Sequence, residues 1–289
     1  LSFFMPRPTT LTTRIFLDSG SPDDTRSTLD LLGFLDGQTT NPSLVAKALR
    51  ADNPDIALKQ QELMDAYKGI VQNISQMIPH GSVSIEVYGD KDTVAETMIT
   101  QGREMNTWIP NAHIKLPTTK AGLEAANVLT GEGVRVNMTL IFSQAQAAAV
   151  HAATFGAKKG DVFLSPFVGR LDDRGENGID LISRISDMYK KEESHVEILT
   201  ASVRNIDHFL ASIAAGTDII TCPKKILDEW AASNFITPEA TYSYTRDDLS
   251  SIPDASVSLT QSWQEYNIQH DLTDAGLQKF ADDWNALIA

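Results

Sequence analysis

The amino-acid sequence predicts an α/β fold, a (β/α)8 or TIM barrel with an extra C-terminal helical segment. Short apolar strands alternate with helical stretches eight times between about residues 14 and 232. Such alternation is typical of a parallel sheet with right-handed crossovers, and eight units over this length match the usual size of the barrel. A doubly wound open sheet is the alternative, but its glycine-rich phosphate loop does not follow the first strand here.

We expect the chain to form a single domain over residues 1–289, with the barrel at about 14–232 and a C-terminal extension at about 237–289. A chain of 289 residues can bury one large core, and no low-complexity linker divides it. The extension is rich in aromatic residues and ends in a helix that starts near Leu272. We expect it to pack as a layer over the barrel, with another subunit as the alternative partner.

The first four strand–helix units follow from apolar runs and from residues that start and stop helices. Strands are predicted at 14–18, within 36–43, at 82–87 and at 112–117. Gly33 suits the end of the first helix, and Pro42 suits the first position of the second. Apolar residues at helical spacing predict a long helical stretch over 51–79, and a further helix is expected over 90–105.

The last four units carry the same signals. Strands are predicted at 135–140, 161–165, 195–202 and 217–221. Helices are predicted at 143–154, at 179–190, from after residue 205 to about 213, and at 223–232. The segment 168–173 is expected to be a loop. We interpret Asp172, Asp173 and Arg174 as part of a solvated loop rather than of a site.

Composition excludes several classes of function. The formal net charge of −14 argues against binding nucleic acid or anionic membranes, which needs basic surfaces. No apolar run approaches the roughly 20 residues of a membrane span. Residues 1–8 lack the pattern of a signal peptide, and Met5 is a candidate native start. The single cysteine, Cys222, indicates a reducing, cytoplasmic setting, and the six histidines show no metal-ligand spacing, so no metal or other cofactor is expected.

Polar side chains stand at the carboxyl ends of the predicted strands, where a barrel of this type builds its active site. Lys115 ends an apolar strand on the same face as His113. Burial disfavours the charged form of an amine, and a neutral lysine is a nucleophile that can form a Schiff base with a carbonyl. The other strand ends carry Asp18, Thr39 to Asn41, Glu86, Asn137 and Thr139, Ser165, Arg204, and Thr221 with Cys222.

Each of these residues also has a purely structural explanation. A strand-end lysine can extend its amine to water, Asp18 can cap a helix, and buried hydroxyls such as that of Thr139 can be satisfied within the core. A surface ion pair would account for Glu86 and Arg204. For each residue alone, the structural explanation competes with a role in an active site. Only the combination of these residues in one pocket favours the active site.

In one pocket the same residues would combine a nucleophile, two acids, hydroxyl and amide groups, and cations. That set suits cleavage of a carbon–carbon bond in a ketose through a lysine imine, with a carboxylate moving the proton. The iminium serves as the electron sink, so the reaction needs no metal. Arg170 and Arg204, with Ser165, would hold a phosphate group.

Six motifs resemble, in order, those of the transaldolase family. They are Phe-Leu-Asp-Ser at 16–19, Thr-Thr-Asn-Pro-Ser-Leu at 39–44, Ile-Lys-Leu-Pro-Thr at 114–118, Val-Asn-Met-Thr-Leu-Ile-Phe-Ser at 136–143, Ser-Pro-Phe-Val-Gly-Arg at 165–170 and Ala-Ser-Val-Arg-Asn at 201–205. The resemblance covers about residues 14–232. It implies a class I aldolase-type barrel that moves a dihydroxyacetone unit from a ketose phosphate to an aldose phosphate, in the non-oxidative pentose phosphate pathway.

The resemblance also implies roles for individual residues. Lys115 would form the Schiff base, Asp18 would be the acid/base of the aldol step, and Glu86 and Thr139 would position the catalytic water. Substrate-binding roles are implied for Thr39, Asn41, Asn137, Ser165, Phe167, Arg170, Ser202 and Arg204. Sugar phosphates are the expected partners, without nucleic acid or membrane, and a homo-oligomer is one assembly that the sequence leaves open.

Two alternatives remain open. Fructose-6-phosphate aldolase, which resembles the same fold, releases free dihydroxyacetone and has a tyrosine at the position of Phe167. A phenol there can assist protonation of the enamine, so Phe167 favours transfer, although simple packing also explains this residue. The second alternative is a non-catalytic sugar-phosphate-binding barrel, which the combination of Lys115, Asp18 and Glu86 disfavours. The residues of the 165–173 motif resemble those of a shorter bacterial branch of the family, whose subunits often assemble into rings. This chain has extra sequence around 51–79 and in the tail, so the resemblance leaves its assembly undecided.

Overall fold

Eight parallel strands close into a barrel in the order of the chain, and the last strand pairs with the first to complete the ring. The structure is a computed structural model that describes residues 7–239 and 241–289, so the expectation about residues 1–6, including Met5, lies outside the described residues. The predicted (β/α)8 barrel is confirmed. The strands are β1 (Arg14–Asp18), β2 (Gly37–Thr39), β3 (Ser82–Glu86), β4 (Ala112–Pro117), β5 (Val136–Ile141), β6 (Val162–Pro166), β7 (Glu197–Thr200) and β8 (Ile219–Cys222).

Helices surround the barrel and cover one of its ends. They are α1 (Pro22–Leu32), α2 (Pro42–Asp52), α3 (Gln60–Met77), α4 (Ala95–Asn106), α5 (Lys120–Gly131), α6 (Gln144–Ala153), α7 (Val168–Asp172), α8 (Gly178–Lys191), α9 (Ile206–Ala214), α10 (Lys224–Ala232) and α11 (Asp271–Asn285). A short 3₁₀ helix spans Trp263–Glu265. Within residues 7–239 and 241–289, no helix has both the length and the apolar character needed to span a membrane.

The helix boundaries follow from local chemistry. Gly33 ends α1 with a left-handed φ of 76°, and its N–H donates to the Leu29 carbonyl. The Thr119 side chain caps α5 by accepting a hydrogen bond from the Gly122 N–H. Because Thr119 lies just past the end of β4, this cap fixes the turn that follows the Lys115 strand.

An aromatic layer fills the barrel below the strand ends. Phe163 stacks on His113 with ring centroids 3.9 Å apart and meets Phe16 edge-on at 6.0 Å. A Cβ at Gly37 would lie 2.5 Å from the Phe16 ring, so glycine is what leaves room for that ring. Burial lowers the pKa of His113 to about 3, and its ring nitrogens bond Ser82 and the Gly160 carbonyl, so His113 is a neutral core residue.

The predicted helical stretch over 51–79 is wrong at its start. Helix α2 ends at Asp52 and α3 begins at Gln60, so the segment between them is not helical. Asn53 has an extended backbone, with φ −144°, because Pro54 follows it and disfavours the helical conformation of the preceding residue. Within 51–79, helical structure is therefore confined to the last two residues of α2 and to α3, with a proline-marked break between them.

Two further boundaries differ from the prediction. The expected helix over 90–105 begins only at Ala95, because Asp90 and Thr93 form a side-chain-bonded turn in which the Thr93 hydroxyl donates to Asp90. The segment 168–173, expected to be a loop, contains the short helix α7. This helix carries Arg170 toward the carboxyl ends of the strands.

The C-terminal segment packs on the carboxyl-end face of the barrel. The Thr273 hydroxyl of α11 donates to the Leu140 carbonyl of β5 at 2.9 Å and accepts from the Gln146 amide at 2.8 Å. Further along, Trp284 packs against Tyr67 of α3, with ring centroids 5.8 Å apart. Helix α11 is therefore held over the end of the barrel where the predicted site residues lie.

Candidate active site

A cavity of about 240 Å³ opens at the carboxyl ends of the strands. Its lining lacks Glu86, Asn137 and Thr139 but contains nine of the twelve residues to which the resemblance assigns roles: Asp18, Thr39, Asn41, Lys115, Ser165, Phe167, Arg170, Ser202 and Arg204. Larger cavities lie elsewhere, including one of about 380 Å³ around Arg14 and Asp218 at the opposite end of the barrel. Those residues belong to the strands' amino ends, so the smaller cavity is the one that gathers the predicted chemistry.

Lys115 lies inside the barrel near the end of β4. It is the only buried lysine among the residues that the structure describes, with 4% of its side chain exposed. Its Nζ lies 3.0 Å from Oε2 of Glu86 and 3.4 Å from the Thr40 carbonyl oxygen. A buried ion pair rarely repays the cost of removing both charges from water, so its presence points to chemistry rather than to stability.

Two acids flank the amine. The Thr39 hydroxyl donates to Asp18 Oδ1 at 2.7 Å, so Thr221, whose oxygen lies 2.6 Å from that of Thr39, must donate to Thr39. Asp18 is half-buried because it borders the cavity, and burial raises its pKa against the opposing effects of Lys115 and Thr39. Burial likewise raises the pKa of Glu86, and the charge of Lys115 opposes that rise.

Two oxygens beside Lys115 have unused hydrogen-bonding capacity. Among the buried side-chain atoms of the described residues, Oγ1 of Thr139 lacks a hydrogen-bond partner, and Oε2 of Glu86 has only its ion-pair contact with Lys115. Their strands, β3 and β5, are the two neighbours of the Lys115 strand in the barrel. Because an unsatisfied buried polar atom costs free energy, the pair is suited to hold a small polar group between them. The explanation of Thr139 as a satisfied core hydroxyl is therefore wrong.

Tyr67 of α3 supports this part of the site from behind. Its hydroxyl accepts a hydrogen bond from the Glu86 N–H at 2.9 Å and lies 2.6 Å from Oγ1 of Thr40. Thr40 gives its own proton to the Ser84 carbonyl, so Tyr67 must donate to Thr40. No sequence pattern predicts this role of Tyr67, because helical spacing does not show which residue will reach a distant strand.

Three side chains inside the barrel form a short polar chain. The Asn137 amide donates to the Ser84 hydroxyl at 3.0 Å, and the Ser165 hydroxyl donates to the Asn137 oxygen at 2.7 Å. Since the Ser165 proton is directed to Asn137, Ser165 offers the cavity an acceptor rather than a donor. In this arrangement a phosphate would have to be held mainly by other groups.

Cationic groups lie at the other side of the cavity. The Arg170 guanidinium lies over the ring of Phe167, 5.2 Å from its centroid, and burial together with the nearby Arg204 lowers the pKa of Arg170. Arg204 forms an ion pair with Asp173 at 2.6 Å and donates weakly to Ser202, which has a left-handed φ of 58°. The explanation of Glu86 and Arg204 as a surface ion pair is thus wrong, because Glu86 pairs with Lys115 and Arg204 pairs with Asp173. Two guanidinium groups in one cavity favour a doubly charged anion.

Asn41 serves two purposes at the edge of the cavity. Its Oδ1 caps α2 by accepting a hydrogen bond from the Leu44 N–H at 2.9 Å. Asn41 also borders the cavity. The side-chain amide nitrogen is therefore the group that Asn41 can present to a ligand. The cap fixes the orientation of that amide because it holds the oxygen in place.

The solvated-loop interpretation is wrong for Asp172. Its carboxylate accepts hydrogen bonds from Tyr244 at 2.5 Å and from the Gly178 N–H at 2.9 Å, and lies 2.8 Å from His208. These contacts lower the pKa of Asp172, although burial opposes them. Tyr244 belongs to the C-terminal extension, so Asp172 ties that extension to the barrel beside the cavity.

Phe280 of α11 also forms part of the cavity wall, although the motifs in the sequence do not predict it as a site residue. Ala201, Val203, Thr221 and Pro223 complete the lining. The buried residues of α11 recur at helical spacing, including Thr273, Gly276, Phe280 and Trp284. That pattern could have identified the buried face of the helix, although it could not show that this face meets Lys115.

The fold and the site together define a class of protein: a (β/α)8 barrel with a buried lysine between acids at the carboxyl ends of its strands. A model of the transaldolase/fructose-6-phosphate aldolase family matches residues 15–289. The chain belongs to this family.

Curated relatives agree with that assignment. The probable transaldolase of Dehalococcoides mccartyi is 34% identical over 274 residues, which cover 95% of this chain and 99% of the relative. That of Oceanobacillus iheyensis is 33% identical and covers 94% of this chain and 99% of its own length. That of Clostridium botulinum is 38% identical over 214 residues, 74% of this chain and 87% of the relative. For the first two relatives the similarity therefore extends over the barrel and most of the C-terminal segment.

Proposed function

We propose that this protein is a transaldolase. It takes a dihydroxyacetone unit from fructose 6-phosphate or sedoheptulose 7-phosphate and passes it to erythrose 4-phosphate or glyceraldehyde 3-phosphate, through a Schiff base on Lys115. The observation that carries the proposal is the buried amine of Lys115, 3.0 Å from Glu86, in a cavity that also contains Asp18 and two arginines. The reaction belongs to the non-oxidative pentose phosphate pathway and takes place in the cytoplasm.

Imine formation is the first step. After Lys115 passes a proton to Glu86, its neutral amine attacks the C2 carbonyl of the ketose, and the resulting carbinolamine loses water to give an iminium. A water molecule held by Oε2 of Glu86 and the unpartnered Oγ1 of Thr139 carries the protons that this exchange requires. The raised pKa of Glu86, caused mainly by burial, fits such a role, because a carboxylate that binds its proton more tightly is the better proton acceptor.

Carbon–carbon cleavage follows. Asp18 accepts the proton of the C4 hydroxyl, the C3–C4 bond breaks, and its electron pair moves into the iminium to form an enamine. The aldose phosphate leaves, while the arginines on the other side of the cavity bind the phosphate of donor and acceptor in turn. Attack of the enamine carbon on the acceptor aldehyde reverses these steps, and hydrolysis of the new imine frees Lys115.

Fructose-6-phosphate aldolase activity is the competing proposal within the same family. Phe167 lies against the Arg170 guanidinium in the cavity wall and has no hydroxyl to deliver a proton to the enamine. This favours transfer. The test is to measure free dihydroxyacetone from fructose 6-phosphate with and without erythrose 4-phosphate. Release without acceptor as fast as transfer would refute the transaldolase proposal and support the aldolase.

Arg204→Ala should mainly weaken binding of phosphorylated substrates. Loss of one charged hydrogen-bond donor costs about 1.5–3 kcal/mol, so we expect KM for fructose 6-phosphate to rise roughly 10- to 100-fold while kcat changes less. Arg103→Ala is a matched control, because Arg103 forms an exposed ion pair with Glu132 on the outer face of the molecule. Equal KM values for Arg204→Ala and the unsubstituted protein would contradict the phosphate role.

Thr139→Val should slow imine formation without disturbing the fold. Valine keeps the shape of threonine but removes the oxygen that has no partner in the described structure, so no existing hydrogen bond is lost. We expect borohydride trapping of the imine to slow by roughly 10-fold or more, in line with the lower range of general acid–base effects. Thr28→Val is the control, since Thr28 Oγ1 is also buried without a partner but lies on α1. Equal trapping rates for the two variants would refute the role of Thr139.

A further inference from the structure

Helix α11 approaches the barrel closely at one point. A Cβ at Gly276 would lie 2.5 Å from Cδ2 of Leu140 and 2.6 Å from Nη1 of Arg170, so a larger residue there would force one of these side chains to shift. One turn later, Phe280 is 5% exposed and forms part of the cavity wall. The helix thus places an aromatic ring directly at the candidate active site.

The Phe280 ring contacts both cationic parts of the cavity. Its centroid lies 5.7 Å from Nζ of Lys115 and 5.8 Å from Cζ of Arg170. Arg170 also lies over Phe167, so its guanidinium is held between two rings. An aromatic face next to a cation stabilises it, and the contact is stronger where water is excluded.

We propose that Phe280 determines whether the three-carbon unit is transferred or released. Its ring covers the Lys115 adduct and keeps water away from the enamine carbon while the acceptor replaces the departing aldose. This inference rests on the proposed Schiff-base function of Lys115. It assigns to the C-terminal helix a direct effect on reaction specificity, separate from the effect of Phe167.

The two outcomes compete for the same carbon atom. In transfer, the enamine carbon forms a bond with the acceptor aldehyde carbon. In release, that carbon takes a proton from water, a further water adds to the iminium carbon, and the C–N bond breaks to give free dihydroxyacetone and the amine of Lys115. Both routes leave Lys115 unchanged overall. They differ in what reaches the enamine carbon first, so the access of water to that carbon decides between them.

A purely structural role for Phe280 predicts a different result. If the ring only anchors α11, then any substitution that loosens the helix should change both routes alike. Leu277 provides the comparison, because it is 6% exposed on the same helix and does not belong to the cavity wall that the described residues form. Leu277→Ala therefore removes buried packing from α11 without uncovering Lys115.

The experiment measures the ratio of dihydroxyacetone release to transfer, with fructose 6-phosphate as donor and erythrose 4-phosphate as acceptor. For Phe280→Ala we expect the ratio to rise about tenfold, a change of about 1.4 kcal/mol in the difference between the two barriers, because water then reaches the enamine carbon. For Leu277→Ala the ratio should stay within about twofold of the unsubstituted protein, even if the protein unfolds at a lower temperature. Phe280→Leu, which keeps most of the apolar volume, should raise the ratio by a smaller factor and provides a second variant should Phe280→Ala fail to fold.

An unchanged ratio in a folded Phe280 variant would overturn the inference, as would an equal rise in Leu277→Ala. Trapping with borohydride separates this failure from failure of the proposed function. If the unsubstituted protein forms an adduct on Lys115 but the Phe280 variants leave the ratio unchanged, only the inference fails. If the unsubstituted protein forms no adduct, the proposed function itself fails.

Discussion

Replacement of Lys115 with methionine is expected to abolish transfer from fructose 6-phosphate to erythrose 4-phosphate. Methionine has a similar length and fits the buried position, but it has no amine to form the imine. Loss of a covalent nucleophile typically lowers kcat by several powers of ten, so we expect a fall of roughly 10⁴-fold or more. A coupled assay of aldose phosphate formation measures this directly.

The control for this variant is Lys120→Met. Lys120 is exposed at the start of α5, five residues from Lys115, and makes no part of the cavity lining among the described residues. Its replacement should leave activity unchanged. Lys115→Met should also lower the thermal midpoint at pH 8, because Glu86 would keep a buried charge whose partner has gone. Near-normal activity of Lys115→Met would refute the Schiff-base role.

Asp18→Asn is expected to reduce activity and to stabilise the protein at neutral pH. Asparagine keeps the shape of the side chain but cannot accept the proton of the C4 hydroxyl, so kcat should fall about 10²- to 10⁴-fold. Stability should rise because burial raises the pKa of Asp18, which means that ionising this carboxyl opposes folding.

The sign of the pH effect follows from that raised pKa. Below the unfolded-state value of about 3.9, the carboxyl is neutral in both states and the variant gains nothing from this source. As pH rises through the folded-state pKa, the unsubstituted protein loses stability relative to Asp18→Asn, and the difference then stays constant. Thermal unfolding of both proteins between pH 4 and pH 8 measures the difference.

Asp23→Asn is the matched control for Asp18→Asn. Asp23 is exposed in the first turn of α1, where a negative charge favours the helix. Its replacement should leave activity unchanged and slightly lower stability, the opposite sign to Asp18→Asn. A stabilised Asp23→Asn, or an Asp18→Asn variant of full activity, would contradict this account of the two acids.

The barrel was predictable from the sequence because its signals are local. Each strand is a short apolar run, and the residues that stop or start helices, such as Gly33 and Thr119, act through their own backbone conformation or a bond three residues away. The prediction is wrong where a second local signal opposes the apolar pattern, as at Pro54, which breaks an otherwise continuous helical spacing.

Most of the candidate site was also predictable, because a closed parallel barrel brings all strand ends to one face. What the sequence did not show were the residues that reach the site from outside the strands. Tyr67 contacts Glu86 from α3, and Phe280 contacts Lys115 across a large separation in the chain. Such contacts depend on how helices dock on the barrel, which no short pattern encodes.

The hydrogen-bonding state of each hydroxyl was likewise beyond the sequence. Thr139 and Ser165 are both buried strand residues, yet the oxygen of Thr139 has no partner within the described residues while Ser165 donates to Asn137. The difference arises from the geometry of the barrel interior, where Asn137 lies within reach of one hydroxyl and a partner for the other is lacking. Only the unpartnered hydroxyl of Thr139 suits a group that holds water for catalysis.

The most direct test of the account is chemical trapping of the Schiff base. The protein is mixed with fructose 6-phosphate and sodium borohydride, digested, and analysed by mass spectrometry, with Lys115→Met and Lys120→Met treated in parallel. The account predicts a reduced dihydroxyacetone adduct on Lys115 in the unsubstituted protein and in Lys120→Met, and on neither position in Lys115→Met. An unmodified Lys115, or an adduct that persists when Lys115 is replaced, would contradict it.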